Sequence, residues 1–485
     1  MDKKKIIFFV IALLTMGIIL MLPLPPEIVS GKAAIALTVK GKATLAVLLM
    51  VVILWMTEAV PFPIAGLLGM VLMVFTGAAD FKTMVREGFG NEIVLFFIGV
   101  LILSAAISET SLLKRLTNYL LRHIGHKPKT IILFFLIIGM SLSAWMTCMA
   151  AAAIMLPLGV AILKDAKLEP LKSNFGRALM ISCAWGPIIG GTATPAGNGA
   201  NPLTVAFLKD LAGTDLSFVS WMTVGVPASI MMLPCAWAVL LLAFPLEPVN
   251  LALAEEDFKK KLRELGAVSR QEILVMIIFF LTIFLWISAP LIKSWTGGAV
   301  AYLNISFVAV ACACLVFLPG INILSWKEAQ DKISWGGIVL ITTGLALGMT
   351  VYNTGAAAWL AQVCFSKIGS LSPIMMIFVI VFGVSIIKVI FSSNTVTGVI
   401  MVPLLIALAK NLGLDPVLVA IPAGITCSLA FILVTSSPTN VIPYSSGYFT
   451  IRDMAKAGIW MTLMSSICVT VSLAVFGRIF GIVNF

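Results

Sequence analysis

Two stretches of this chain, "LSAWMTCMAAAAIMLPLGVAILKD" at 142–165 and "IKVIFSSNTVTGVIMVPLLIALAK" at 387–410, decide how it is read. Each is a long apolar run with a polar tip, 147–149 in the first and 392–395 in the second, and Pro157 of one falls on Pro403 of the other. A helix crossing the hydrocarbon core takes about 20 residues. The run from Pro373 to Lys410 is roughly twice that, which suits a re-entrant hairpin with its tip near the midplane; the 131–163 stretch is its counterpart. The correspondence extends outward. "FFIGVLILSAAISETSLLKRL" (96–116) lies beside "ITTGLALGMTVYNTGAAAWL" (341–360), and "GNGANP" (197–202) beside "SSPTNVIP" (436–443), with Asn201 on Asn440. A repeat this long is no solenoid unit and marks a secondary transporter built from two related halves.

The rest of the chain agrees with a membrane setting. Of its 485 residues 60% are hydrophobic and 11% charged, and the mean hydropathy is +1.11; soluble domains carry about 25% charged residues. Apolar stretches from 6–22 through 457–482 predict about ten or more spans. The formal charge of +11 would suggest nucleic acid in a soluble protein. Here the basic residues sit in short connections, so the partner they imply is the bilayer and not nucleic acid. Lys3, Lys4 and Lys5 precede the first span. Lys114, Arg115, Arg122, Lys127, Lys129, Lys164, Lys167, Lys172 and Arg177 flank others, and the loop 246–271 adds Lys259, Lys260, Lys261, Arg263 and Arg270. By the positive-inside rule the N-terminus is cytoplasmic, in a cell (inner or plasma) membrane. The first apolar run is long for a signal peptide and has no clear small-residue cleavage site, so it reads as span one. Eight cysteines without CxxC spacing read as small buried hydrophobes, and His123 and His126 as residues of a solvated basic connection. No metal site or other cofactor follows from them.

Two further interruptions, at 190–202 and 435–443, bring Gly, Pro, Asn and Thr into apolar surroundings. Non-helical backbone at membrane depth survives only where it is buried in protein or lines a watery cavity, so the four interruptions are expected to converge on one site. Helix N-termini there present free N–H groups to an anion and C-termini present carbonyls to a cation. Ser, Thr and Asn add neutral donors and acceptors. Such residues also glue membrane helices together, but four clusters at matching places in two halves favour a site.

At these residues the chain resembles the divalent anion/sodium symporter family, the dicarboxylate and citrate carriers. "WMTEAVPFPIAGLLGMVLMVFTG" (55–77) is similar to that family's WxTEAxP segment, "GGTATPAGNGANP" (190–202) to its GGTATxxGTGPN loop, "FSSNTVTGVIMVP" (391–403) to its Ser-Asn-Thr hairpin, and "SPTN" (437–440) to its second-half loop. The likeness runs from about residue 44 to the C-terminus. It implies an all-α polytopic membrane protein with about eleven transmembrane helices plus two re-entrant hairpins. It also implies two inverted-topology repeats, separate scaffold and transport domains, elevator-type alternating access and a homodimer. The expected division is 1–43, first helix and connection; 44–245, first repeat, with hairpin 128–165 and discontinuous helix 175–212; 246–271, basic loop; and 272–485, second repeat, with hairpin 372–410 and discontinuous helix 416–449. Carried over by position, the substrate-binding residues are Ser393, Asn394, Thr395, Pro438, Thr439 and Asn440, with Thr147, Cys148 and Asn201 from the first half. Sodium would lie near Ser393, Asn394, Thr194 and Asn198.

One departure bears on mechanism: the first tip reads Thr147-Cys148-Met149 where the family reads Ser-Asn-Thr. Sulfur is a poor partner for a hard cation. Lys388, six residues before Asn394, would stand about 9 Å of helical rise from the second tip, and an ionisable group within a span is a functional candidate by default. A fixed ammonium in place of sodium would make the carrier a sodium-independent exchanger of di- or tricarboxylates, the succinate, malate, 2-oxoglutarate and citrate class. A lysine snorkelling at a hairpin base, or pairing for packing, is the structural alternative. Glu58 and Glu109 read as structural. Sodium-coupled dicarboxylate symport is the other coupling mode, and a cation/proton antiporter or channel the other class, weakened by the scarcity of acids in the core. No HExxH, paired-Asp or Ser/His arrangement indicates an enzyme, and no GxxxxGK[ST] loop indicates ATP-driven transport.

Overall fold

The computed structural model describes residues 3–30, 33–113, 115, 127–249, 265–300, 302–365 and 368–483. His123, His126, Lys114, Arg122, Lys259, Lys260, Lys261 and Arg263 lie outside these residues. Helix α1 (Lys3–Met21) is followed by a short antiparallel ribbon, β1 (Ile28–Ser30) with β2 (Ala33–Ile35), Ile28 opposite Ile35. Then come α2 (Val39–Thr57), α3 (Phe62–Phe75), α4 (Phe81–Gly88) and α5 (Glu92–Glu109). The first hairpin is α6 (Pro128–Ser143) and α7 (Cys148–Asp165); the first broken helix is α8 (Asn174–Gly190) and α9 (Ala200–Ala212); α10 (Phe218–Ala243) closes this half. After α11 (Arg270–Trp295), α12 (Ile305–Leu315), α13 (Trp326–Lys332), α14 (Trp335–Asn353) and α15 (Ala356–Phe365), the same order returns. Helices α16 (Pro373–Ile387) and α17 (Asn394–Asn411) form the second hairpin, α18 (Val417–Thr426) and α19 (Pro438–Tyr444) the second broken helix, and α20 (Ile451–Ser472) its end.

The protein is thus an all-α polytopic membrane protein. Nine helices among the described residues are long and apolar enough to cross a membrane. Two of the nine, α7 and α17, are second arms of hairpins. The expected number of crossings therefore does not equal a count of unbroken helices, because a hairpin arm or half of a broken helix stops at the break its polar residues create.

The two halves pack reciprocally. Helix α9 of the first lies on α17 of the second, and α19 of the second lies on α7 of the first, as an internal twofold relation requires. Within the first half, α6 lies along α8 at backbone contact. A Cβ at Gly186 would stand 2.8 Å from the Leu136 carbonyl oxygen, a distance real side chains do not adopt. Small residues permit this approach where lipid gives helices no hydrophobic reason to associate. The largest fully buried side chains, among them Trp55, Trp185, Trp221, Phe96 and Phe207, fill the space between these elements.

Candidate functional site

Each hairpin turns in the same way. Thr147 caps α7, its Oγ1 accepting from the Ala150 N–H (3.3 Å), and Ser393 caps α17, its Oγ accepting from the Val396 N–H (3.4 Å). A hydroxyl at the N-cap leaves the remaining first-turn N–H groups facing forward. Both second arms carry a proline inside the helix, Pro157 in α7 and Pro403 in α17, where the ring removes one backbone donor.

The breaks account for their backbone carbonyls one by one. At the first, Asn201 Nδ2 donates to the carbonyls of Gly191 (2.8 Å) and Thr194 (2.7 Å), and Asn198 Nδ2 to Gly191 (2.8 Å) and to Asn201 Oδ1 (2.9 Å). Trp221 Nε1 donates to the Thr192 carbonyl (3.0 Å), Ser229 Oγ to Ile189 (3.0 Å), and Thr194 Oγ1 to Ala144 at the hairpin bend (2.5 Å). At the second, Asn440 Nδ2 donates to Ala430 (2.7 Å) and Leu433 (3.1 Å). Lys388 Nζ donates to Ser436 (2.5 Å) and to Phe391 at the bend (2.9 Å). Irregular backbone is held inside the bilayer by side-chain amides, hydroxyls, an indole and one ammonium.

The tips and breaks enclose a cavity of about 590 Å³. It is lined by Thr147, Cys148, Met149, Asn198, Gly199, Ser393, Asn394, Thr395, Ser437, Pro438 and Thr439, and on the opposite wall by α5 and by the residues around the α13–α14 turn. The segment 197–199 joins the tips: Cys148 Sγ donates to the Gly197 carbonyl (3.4 Å), and a Cβ at Gly199 would meet Thr395 Oγ1 at 2.5 Å. The lining contains no carboxylate, and its one charged side chain, Lys332, pairs with Glu109 beside it. A second cavity, of about 640 Å³, adjoins the N-terminal turn of α5 and contains none of the tip residues. The tip cavity is the one with helix N-termini and neutral donors converging on a single space, and it is the candidate site on that chemistry.

Eight of the residues singled out by sequence line this cavity: Thr147, Cys148, Asn198, Ser393, Asn394, Thr395, Pro438 and Thr439. Asn201, Asn440, Thr194 and Lys388 do not; all four are buried behind it, holding the breaks. For Lys388 the helical rise assumed from sequence does not exist, because α16 ends at Ile387 and the chain bends through 388–393. Sequence reasoning missed Lys332, Ser104, Ser108 and Ser334 on the opposite wall. Only the tertiary packing of α5 and α13 exposes them there; the segment "WKEAQDK" by itself is an ordinary polar helix. Glu58 takes a left-handed φ of 49° at the end of α2 and accepts from Ser392 Oγ of the second hairpin (3.1 Å). All eight cysteines are free, with Cys314 and Cys364 exposed against the expectation of burial.

Two repeats that deliver four helix breaks to one polar chamber in a membrane define the class: a secondary transporter, not an enzyme. The chain belongs to the family described as the sodium:sulfate symporter transmembrane region, whose sequence model matches residues 3–483, in keeping with the divalent anion/sodium symporter motifs. It is 31% identical over 447 residues to the sodium-dependent dicarboxylate transporter SdcS of Staphylococcus saprophyticus, covering 89% of this chain and 85% of that one, and equally so to the SdcS of Staphylococcus aureus strain USA300. Among solved structures, its fold is similar to that of Neisseria gonorrhoeae MtrF (TM-score 0.55, 13% identity, 96% of this chain and 94% of that one). It is also similar to that of Alcanivorax borkumensis YdaH (TM-score 0.53, 12% identity, 99% and 98%).

Proposed function

We propose that the protein is a secondary transporter of dicarboxylate anions that carries them with sodium. The observation that supports the cargo is the chamber: neutral Ser, Thr and Asn groups and two helix N-termini, with no carboxylate in the lining to repel an anion or relay a proton. The same lining speaks against a cation/proton antiporter or channel. Relatives named for sodium-dependent dicarboxylate transport over most of their length support both cargo and coupling. A buried oxygen without a partner among the described residues, Ser143 Oγ at the foot of the first tip, offers an acceptor that a hard cation takes.

Sodium-independent exchange, the mode favoured by sequence alone, stands as the second reading because an ammonium, Lys388, already occupies two carbonyls of the second half. In either mode the hairpins, broken helices, α10 and α20 form the moving unit and α1–α5 with α11–α15 the scaffold. Elevator movement, a homodimer, plasma-membrane residence and a cytoplasmic N-terminus belong to the same proposal.

Uptake of labelled succinate into proteoliposomes tests it. Accumulation driven by an inward sodium gradient, with no dicarboxylate inside, supports symport. Counterflow that proceeds without sodium and no gradient-driven accumulation supports exchange. Neither accumulation, counterflow nor binding of any C4 to C6 acid overturns the reading of the cargo.

A further inference from the structure

We propose that Lys388 is a resident cation of the second half-site, a positioning residue whose tethered ammonium takes the place between the second hairpin bend and the second break that a mobile cation would otherwise fill. The inference rests on the chamber binding carboxylate anions and confines any mobile cation to the first half.

The comparison of the halves carries it. In the first half, break and hairpin bend are joined by a neutral hydroxyl, Thr194 Oγ1 on the Ala144 carbonyl. In the second, the join is an ammonium on two carbonyls, Phe391 of the bend and Ser436 of the break. Carbonyl oxygens converging from two irregular segments are what a bare cation needs to replace its water. Lys388 is 1% exposed, and among the described residues no carboxylate lies within ion-pair distance of it. A buried ammonium without a counter-charge is costly, and a purely structural join is made in the first half without one. Ser436 directly precedes the lining residues Ser437, Pro438 and Thr439, and Phe391 lies two positions before Ser393. The ammonium therefore sits one layer behind the chamber wall, where an anionic cargo supplies the missing counter-charge. It polarises the groups that face the substrate without touching the substrate itself.

Succinate binding by the purified full-length protein, measured calorimetrically in sodium chloride and in choline chloride, tests this with three variants. Lys388→Ala removes the tethered charge and frees both carbonyls and the space of the side chain. Its affinity in choline falls about tenfold or more, the order expected for one unit charge a layer away in an effective dielectric of about 20, and sodium restores a substantial part of it. Lys388→Gln, neutral but still filling the space, loses affinity to a similar degree without sodium rescue, and Lys388→Arg retains more affinity than either in choline. Should Lys388→Ala fail to fold, the contrast between Gln and Arg decides. Wild-type affinity for the Ala variant in choline, or equal behaviour of Gln and Arg, overturns the proposal and leaves the cargo reading intact. A wild-type protein that binds no dicarboxylate in either salt overturns the cargo reading and this inference with it.

Discussion

Replacing Asn440 by alanine is expected to destabilise the protein more than replacing Asn201, although the two residues hold equivalent positions and are both fully buried. The difference lies in what each leaves behind. Without Asn201, the Gly191 carbonyl keeps the Asn198 amide at 2.8 Å and the Thr194 carbonyl keeps the Gly197 N–H at 3.3 Å. The loss is then of three hydrogen bonds, the third being the Asn198 Nδ2 donation to Asn201 Oδ1 (2.9 Å), at about 0.5–1.5 kcal/mol each, or about 1.5–4.5 kcal/mol in all; the freed Asn198 N–H borders the chamber, where water can replace the lost acceptor. Without Asn440, the Leu433 carbonyl keeps Ser436 Oγ at 2.9 Å, but the Ala430 carbonyl has no other donor among the described residues. A buried carbonyl left unpaired adds about 1–3 kcal/mol, for a total of about 2–6 kcal/mol. Asn440→Asp is the control. Asn440 Oδ1 has no partner among the described residues, so the aspartate loses both useful donors, keeps an acceptor none of them uses, and falls at least as far as alanine. Thermal unfolding in detergent, followed by tryptophan fluorescence, reads the order of the three midpoints. An Asn201→Ala protein as unstable as Asn440→Ala, or an Asn440→Asp protein close to wild type, refutes the carbonyl accounting at the second break.

Gly186→Ala forces the first hairpin off the broken helix, since its Cβ would stand 2.8 Å from backbone oxygen, and costs about 1–3 kcal/mol. Gly383→Ala, on an open face of α16, is neutral or stabilising by up to about 1 kcal/mol, and the midpoints of the two variants check the pair. Asn394→Ala is expected to weaken succinate binding about tenfold or more while leaving the midpoint within a few degrees, because Asn394 lines the chamber and its Nδ2, the group able to donate to a carboxylate, has no hydrogen bond to another described residue; equal loss of both would make it a structural residue. Lys332→Met, at the chamber wall, lowers the succinate association rate severalfold in low salt and much less near 0.5 M salt, the mark of charge steering, and stopped-flow measurements at both ionic strengths decide it.

The hairpins and breaks were legible because they break a rule a sequence displays openly. A polar cluster inside an apolar run longer than one crossing has few places to go, and the matching prolines, Pro157 and Pro403, fix the alignment of the two halves. Which polar groups face the cavity was not legible. Asn394 and Asn440 are both asparagines in short polar clusters, yet one lines the chamber and the other ties two carbonyls behind it. Their difference is one of direction, set by where the chain leaves the helix, and a list of residues does not carry direction. Lys388 makes the point most sharply, since counting helical rise carries its side chain toward the tip and the end of α16 at Ile387 turns it instead onto the break. The hidden residues are the more constrained ones. A chamber donor can exchange partners with water or substrate, whereas a donor behind the wall can be the sole supply, among the described residues, for a particular backbone oxygen, as Asn440 is for Ala430. Likeness between the halves therefore marks where irregular backbone must be held, and the differences between them, Lys388 against Thr194 above all, mark where the proposed division of binding between the halves is to be tested.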